Sequence, residues 1–103
     1  MFEYMKKVTG KLPQEELLAG LAEEAAELAQ AALKYRRTFS DVNPTPVPWT
    51  EALEHLREEA ADVLLYLGVL DCISEVEAHP KVEAFLMTKS SRWVHRLEGG
   101  GKE

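Results

Sequence analysis

Two acidic runs occur where a helical sequence has little ordinary use for them: Glu23-Glu-Ala-Ala-Glu27 and Glu58-Glu-Ala-Ala-Asp62. Carboxylates three residues apart share one side of a helix, so Glu24 pairs with Glu27 and Glu59 with Asp62. On the first helix Leu17, Leu21, Leu28 and Tyr35 fall within roughly 40° of one another and should face the core. Glu24 projects from the middle of that stripe, Glu27 lies on its flank, and Glu23 lies a little further round. On the second helix Leu56, Val63 and Leu70 share a face; Glu59 sits between Leu70 and Tyr66, and Asp62 between Tyr66 and Val69. Burying unpaired carboxylates is very costly, and four of them on facing helices repel one another. A divalent cation resolves the conflict. Mg²⁺ prefers hard oxygen ligands and keeps several waters, so a carboxylate cup with open positions suits a substrate that brings phosphate oxygens. One Glu-x-x-Glu alone usually marks a solvated helix face; two of them, each inside an apolar stripe, favour the metal.

The elements that position these acids can be read from breakers and composition. Residues 1–10 are a short lead of one or two helical turns. Pro13 opens a helix that runs to about Arg37 in good helix formers, with Gly20 as a weak point. Thr38 to Trp49 is a loop, because Pro44, Pro46 and Pro48 forbid helix. Thr50 is the expected N-cap of a second helix from about Glu51 to Ala78, with Glu51 and Glu54 favouring its dipole. Pro80 ends or kinks that helix and opens a third to about Leu97, with His79 as a cap or turn residue. Residues 1–98 read as a single helical domain and 99–103 as a loose Gly-rich tail. The expected fold is an all-α helical bundle. Residues 63–70 are apolar almost all round and must be covered on every side, which predicts completion by homo-oligomerisation into a dimer or tetramer.

Composition narrows the partners. The 103 residues make one domain, with 12 Lys plus Arg against 18 Asp plus Glu and a net charge of −6. Such a surface repels nucleic acid and anionic membranes unless the basic residues cluster. Cys72 is the lone cysteine, lies in an apolar run, and reads as a small buried hydrophobe in a reducing cytoplasm. The N-terminal segment has no apolar h-region and no apolar run reaches membrane-spanning length, so neither a signal peptide nor a membrane span is expected.

In full, the segments Glu23-Glu-Ala-Ala-Glu-Leu28 and Glu58-Glu-Ala-Ala-Asp-Val-Leu-Leu-Tyr-Leu67 resemble the MazG-like, all-α nucleoside triphosphate pyrophosphohydrolase superfamily, whose signature is Glu-Glu-x-x-Glu, a connection, then Glu-x-x-Asp. The likeness spans about residues 13–97. It implies that Glu24, Glu27, Glu59 and Asp62 bind Mg²⁺, with Mn²⁺ as a substitute. Glu23 is then an outer group or an occasional ligand, and Glu23 or Glu27 takes the proton from an attacking water. It also implies a nucleoside triphosphate substrate cleaved to monophosphate and pyrophosphate, with nucleotide-pool control or house-cleaning as the purpose. Relatives often carry Lys-x-x-x-Asn-x-x-Arg on the last helix; the same register here gives Lys89, Trp93 and Arg96, so a tryptophan replaces the asparagine. Arg92 is an added candidate, and these four form the expected substrate-binding set.

The connection between the motifs is longer than usual in the family. Its Pro-rich loop places Asn43 and Trp49 either in a nucleotide pocket or as pins on the bundle. Lys34, Arg36 and Arg37 are either a second basic patch or cations at a helix C-terminus, the latter being the plainer reading. Two rivals stand beside the main reading. Phosphoribosyl-ATP pyrophosphohydrolase of histidine synthesis has a similar second helix, but usually a basic residue just before the first acidic motif, where this chain has Gly20-Leu-Ala22. An acidic helical oligomerisation module would bind no Mg²⁺. No Walker-type phosphate loop and no nucleophilic Ser or Cys arrangement is present.

Overall fold

The two acid-bearing helices are the longest elements of the chain, and they pack on each other as a hairpin. A computed structural model describes residues 2–40, 42–73 and 79–100. In chain order these form α1 (Phe2–Thr9), α2 (Gln14–Arg37), α3 (Trp49–Val69) and α4 (Pro80–His95), followed by a wide turn over Arg96–Gly100. No strand occurs among the described residues. The all-α expectation holds, and no helix among the described residues is long and apolar enough to cross a membrane.

Helix α2 starts directly after Pro13, whose extended backbone (φ −68°, ψ 151°) sets the entry angle. Glu15 and Glu16 in its first turn and Lys34, Arg36 and Arg37 in its last match the helix dipole. Thr38 closes it, its hydroxyl donating to the Tyr35 carbonyl at 2.7 Å. Helix α3 begins two residues earlier than the sequence suggests. Pro48, not Thr50, holds the N-cap position, and no side chain caps the helix. Pro48 fixes the entry through its own backbone (φ −60°, ψ 147°), which makes a capping hydroxyl unnecessary for direction.

The other end of α3 corrects the sequence reading more strongly. The helix stops at Val69 rather than near Ala78; residues 74–78 lie outside the described residues. The stop is a Schellman motif without its usual glycine. Asp71 takes the left-handed conformation (φ 62°). Its N–H donates to the Gly68 carbonyl at 3.2 Å, and the Cys72 N–H reaches back to Leu67 at 2.8 Å. Asp is among the few non-glycine residues that visit this region, and the apolar periodicity of the run gives no hint of it. Cys72 therefore lies in a capping turn, free and half-buried, rather than inside a buried helix.

The core sits where α1 closes over this end of the hairpin. Met5, Leu17 and Val69 are buried, with Val8, Tyr66 and Leu70 packed against them. The Thr9 hydroxyl lies 3.2 Å from the carbonyls of both Met5 and Val69, which ties α1 to the end of α3. Gly20 has a reason to be a glycine: a Cβ there would run into the Tyr66 ring. Its low helix propensity is the cost of letting Tyr66 lie against α2. Further along, Ala31 and Ala52 are each only 2% exposed. Small residues at these positions let two backbones approach closely.

Helix α4 is built as the sequence suggests at its start. Pro80 is in the first turn, and His79 is the N-cap, accepting from the Lys81 N–H through Nδ1 at 3.2 Å. The helix ends at His95, and the wide turn carries the chain through Gly99 in the left-handed conformation (φ 99°). Residues 101–103 lie outside the described residues. No residue of α4 is buried. It packs on the turn that follows it and on none of the other helices to any extent, leaving Phe85, Leu86, Met87, Trp93 and Val94 open to solvent.

Candidate metal centre and substrate cleft

Opposite pairs along the hairpin show how the acidic motifs meet. Gly20 lies against Tyr66, and nearer the open end Glu24 and Glu27 meet Glu59. The helices therefore run antiparallel, and the Glu-x-x-Glu of α2 faces the Glu-x-x-Asp of α3. One carboxylate oxygen from each of Glu24, Glu27 and Glu59 lies within 4.8 Å of the other two. Asp62, half-buried on α3, adds its charge to Glu24.

The electrostatic state of this group is strained. Glu59 is 8% exposed, the one buried charged residue among those described. Its Oε1 is 3.2 Å from His55 Nε2, one helical turn earlier on α3. Its Oε2 and the Oε2 of Glu24 are buried with no hydrogen-bond partner. The Glu24 carboxyl is pushed up to about 7, first by desolvation, then by the charges of Glu27, Asp62 and Glu59 and by a hydrogen bond with Glu27. Among the described residues no lysine or arginine forms an ion pair with these acids, and His55 is the one basic side chain that touches them. Arg57 is engaged with Glu54 on the exposed side of α3, at 3.7 Å.

A group of oxygen-only donors, with two orphaned buried oxygens and a carboxyl that resists ionisation, fits a hard divalent cation. The cation would supply the missing partner for both orphan oxygens and remove the reason for the raised Glu24 pKa. The acids also open onto a cleft of about 610 Å³ between α2 and α3, lined by Glu27, Gln30, Ala31, Leu33, Lys34, Arg37, His55 and Glu59. A second hollow of about 460 Å³, lined by Leu33, Arg36, Arg37, Ser40, Val42 and Asn43, adjoins it under the Pro-rich loop.

The model of the MazG nucleotide pyrophosphohydrolase domain matches residues 12–96. The chain belongs to this family. No curated protein and no solved structure matches it closely enough to be set beside it. The matched MazG region starts just before α2 and ends as α4 ends, so the acid-bearing hairpin lies wholly inside it.

Within this MazG domain the sequence-derived site residues fall into two groups. Glu24, Glu27 and Glu59 come together, with Asp62 beside them. Glu23 is exposed on α2 and stands outside the three-carboxylate group. Lys89, Arg92, Trp93 and Arg96 are all exposed on α4 or at its end. Within one chain they are not assembled with the acids, and none lines the cleft. Asn43 lines the adjoining hollow, whereas Trp49 opens α3 and lines neither space. His55 is a further member of this site that the acidic motifs do not announce. Its i,i+4 spacing to Glu59 was the available signal.

Proposed function

We propose that this MazG-family chain is a Mg²⁺-dependent nucleoside triphosphate pyrophosphohydrolase, converting a (d)NTP and water to the monophosphate and pyrophosphate. The observation that carries the reading is the convergence of Glu24, Glu27 and Glu59 from two helices, within 4.8 Å, at one end of an open cleft. Glu24, Glu27, Glu59 and Asp62 would hold the cation, Mg²⁺ or in its place Mn²⁺. When bound, it supplies charge neutralisation for the phosphates and lowers the pKa of a coordinated water.

The chain's own residues account for the rest. His55 engages Glu59 Oε1 and leaves the buried Oε2 without a partner, available to a cation. Water attacks the α-phosphorus, the bond to the bridging oxygen breaks, and the electron pair leaves with pyrophosphate. The proton lost from the water passes to a carboxylate. Glu27, which belongs to the acid group and also lines the cleft, suits that role better than Glu23, which does neither.

The reading extends to a homo-oligomer. Exposed Leu64 and Leu65 on α3 and the open apolar side chains of α4 are surface that one chain leaves uncovered. A second copy would cover it and would be the route by which Lys89, Arg92, Trp93 and Arg96 reach a nucleotide. A cytoplasmic role in nucleotide-pool control or house-cleaning fits this chemistry. The phosphoribosyl-ATP alternative is disfavoured by the segment Gly20-Leu-Ala22, which offers no basic side chain just before the first acidic motif.

The test is pyrophosphate release from the eight common NTPs and dNTPs with Mg²⁺, comparing wild type with Glu59→Gln. Metal-dependent release that the variant loses supports the reading. No release from any nucleotide by a helical, folded protein rejects it.

A further inference from the structure

The cleft that begins at the acids ends at two cations. Glu27, Gln30, Lys34 and Arg37 recur every three or four residues on α2, which puts them along one side of that helix, and all four line the same cleft with His55 and Glu59 opposite. Helical side chains lean toward the N-terminus of their helix. The Lys34 and Arg37 heads therefore reach back toward the carboxylates, across an axial offset of roughly 10 Å from Glu27 to Lys34. Among the described residues neither cation is in a salt bridge. Cations at a helix C-terminus need no further role, but that explanation covers Arg36 equally. Arg36 is exposed and absent from the cleft, whereas Lys34 and Arg37 are half-buried in its wall.

We infer that Lys34 and Arg37 bind the two phosphates that depart as pyrophosphate, which orients the triphosphate along α2 with its nucleoside end pointing away from them. This rests on the pyrophosphohydrolase reading above and adds a direction to it. Cleavage of the α–β linkage moves an electron pair onto the leaving pyrophosphate, so negative charge grows at the end of the cleft where the two cations stand. Arg offers a planar fork for phosphate oxygens and Lys a mobile point charge. In the reverse orientation a neutral base would face two unpaired cations and the phosphate tail would leave the cleft.

The probe is inorganic pyrophosphate, titrated by calorimetry with Mg²⁺ into wild type, Lys34→Gln, Arg37→Gln, the double variant and the control Arg36→Gln. A deoxynucleoside monophosphate is titrated in parallel, and circular dichroism monitors folding. We expect each of the first two substitutions to weaken pyrophosphate binding roughly tenfold or more, with monophosphate affinity held within about twofold and Arg36→Gln silent. Unchanged pyrophosphate affinity in a folded double variant overturns the inference while leaving turnover by wild type intact. Loss confined to the monophosphate overturns it in favour of the reverse orientation. Wild type that neither binds pyrophosphate nor releases it from any nucleotide overturns the parent reading, and this inference with it.

Discussion

Replacing Glu59 by glutamine should stabilise the metal-free protein and abolish its stabilisation by Mg²⁺. Glu59 is 8% exposed, has one orphan oxygen, and lies within 4.8 Å of Glu27 and Glu24. Two unit charges at that distance repel by about 1 kcal/mol in water and about 3–4 kcal/mol at the effective dielectric of a protein surface. Glu27 is exposed, so the Glu27–Glu59 repulsion belongs near the lower figure, about 1–2 kcal/mol. Glutamine keeps an acceptor for His55, removes the charge, and gives the neighbouring carboxylates an amide donor. In a domain of this size a gain of about 1–2 kcal/mol raises Tm by roughly 5–15 °C. The assay is thermal unfolding followed by circular dichroism, in chelator and in millimolar Mg²⁺. Wild type should gain Tm with Mg²⁺ by the linkage of binding to folding; the variant should start higher in chelator and gain little. A variant less stable than wild type in chelator, or one that responds to Mg²⁺ as wild type does, refutes the reasoning.

Four further outcomes follow from the same structure. The raised Glu24 pKa means that the native state holds a proton that the unfolded chain releases between pH 4.5 and about 7, so metal-free stability should fall as pH rises through that window. Chemical unfolding in chelator at pH 5.5 and 8 checks the sign; greater stability at pH 8 contradicts it. Gly20→Ala should destabilise despite a helix-propensity gain of about 1 kcal/mol, because the new methyl meets Tyr66 at an overpacking cost of about 1–3 kcal/mol. In a Tyr66→Ala background the same change should stabilise instead. Asp71→Gly should stabilise by about 0.5–1 kcal/mol, since Asp71 holds a left-handed backbone that glycine adopts freely; a loss of stability on urea titration would show that the aspartate side chain matters more than its backbone. Light scattering should give a mass of a multiple of the 11.6 kDa chain, reduced toward one chain by Phe85→Glu on the open face of α4; a wild-type monomer at micromolar concentration contradicts the oligomer.

The parts of this structure that sequence reveals are those set by period and composition. The placement of Glu24 and Glu59 inside apolar stripes was legible because a 3.6-residue period fixes which residues share a face, and the stripes around them are long. Pro13 and Pro80 likewise mark helix starts to within a residue, because proline constrains its own backbone, whereas the start of α3 falls to Pro48 and not to the expected cap Thr50. The end of α3 was not legible. Only Gly68 interrupts the run from Val63 to Leu70 and no proline follows before Pro80, and the stop depends on one aspartate adopting a conformation that most aspartates avoid. The pairing of His55 with Glu59 was readable in principle from spacing, and the role of Gly20 was not, since it depends on Tyr66 from the other helix. The joining of Lys34 and Arg37 to the acids in one cleft also needed the three-dimensional wall. On sequence alone their spacing from Glu27 puts them on its side of α2 and Arg36 off it, but nothing there shows that this side walls a cleft.

The most direct test is the stoichiometry of products from a deoxynucleoside triphosphate in ¹⁸O-labelled water with Mg²⁺. We expect monophosphate and pyrophosphate in equal amounts, with the label in the monophosphate, and no products in chelator or with Glu59→Gln. Release of orthophosphate, label in the pyrophosphate, or turnover that persists without divalent metal would contradict the assignment of this carboxylate group as the centre of a nucleotide pyrophosphohydrolase.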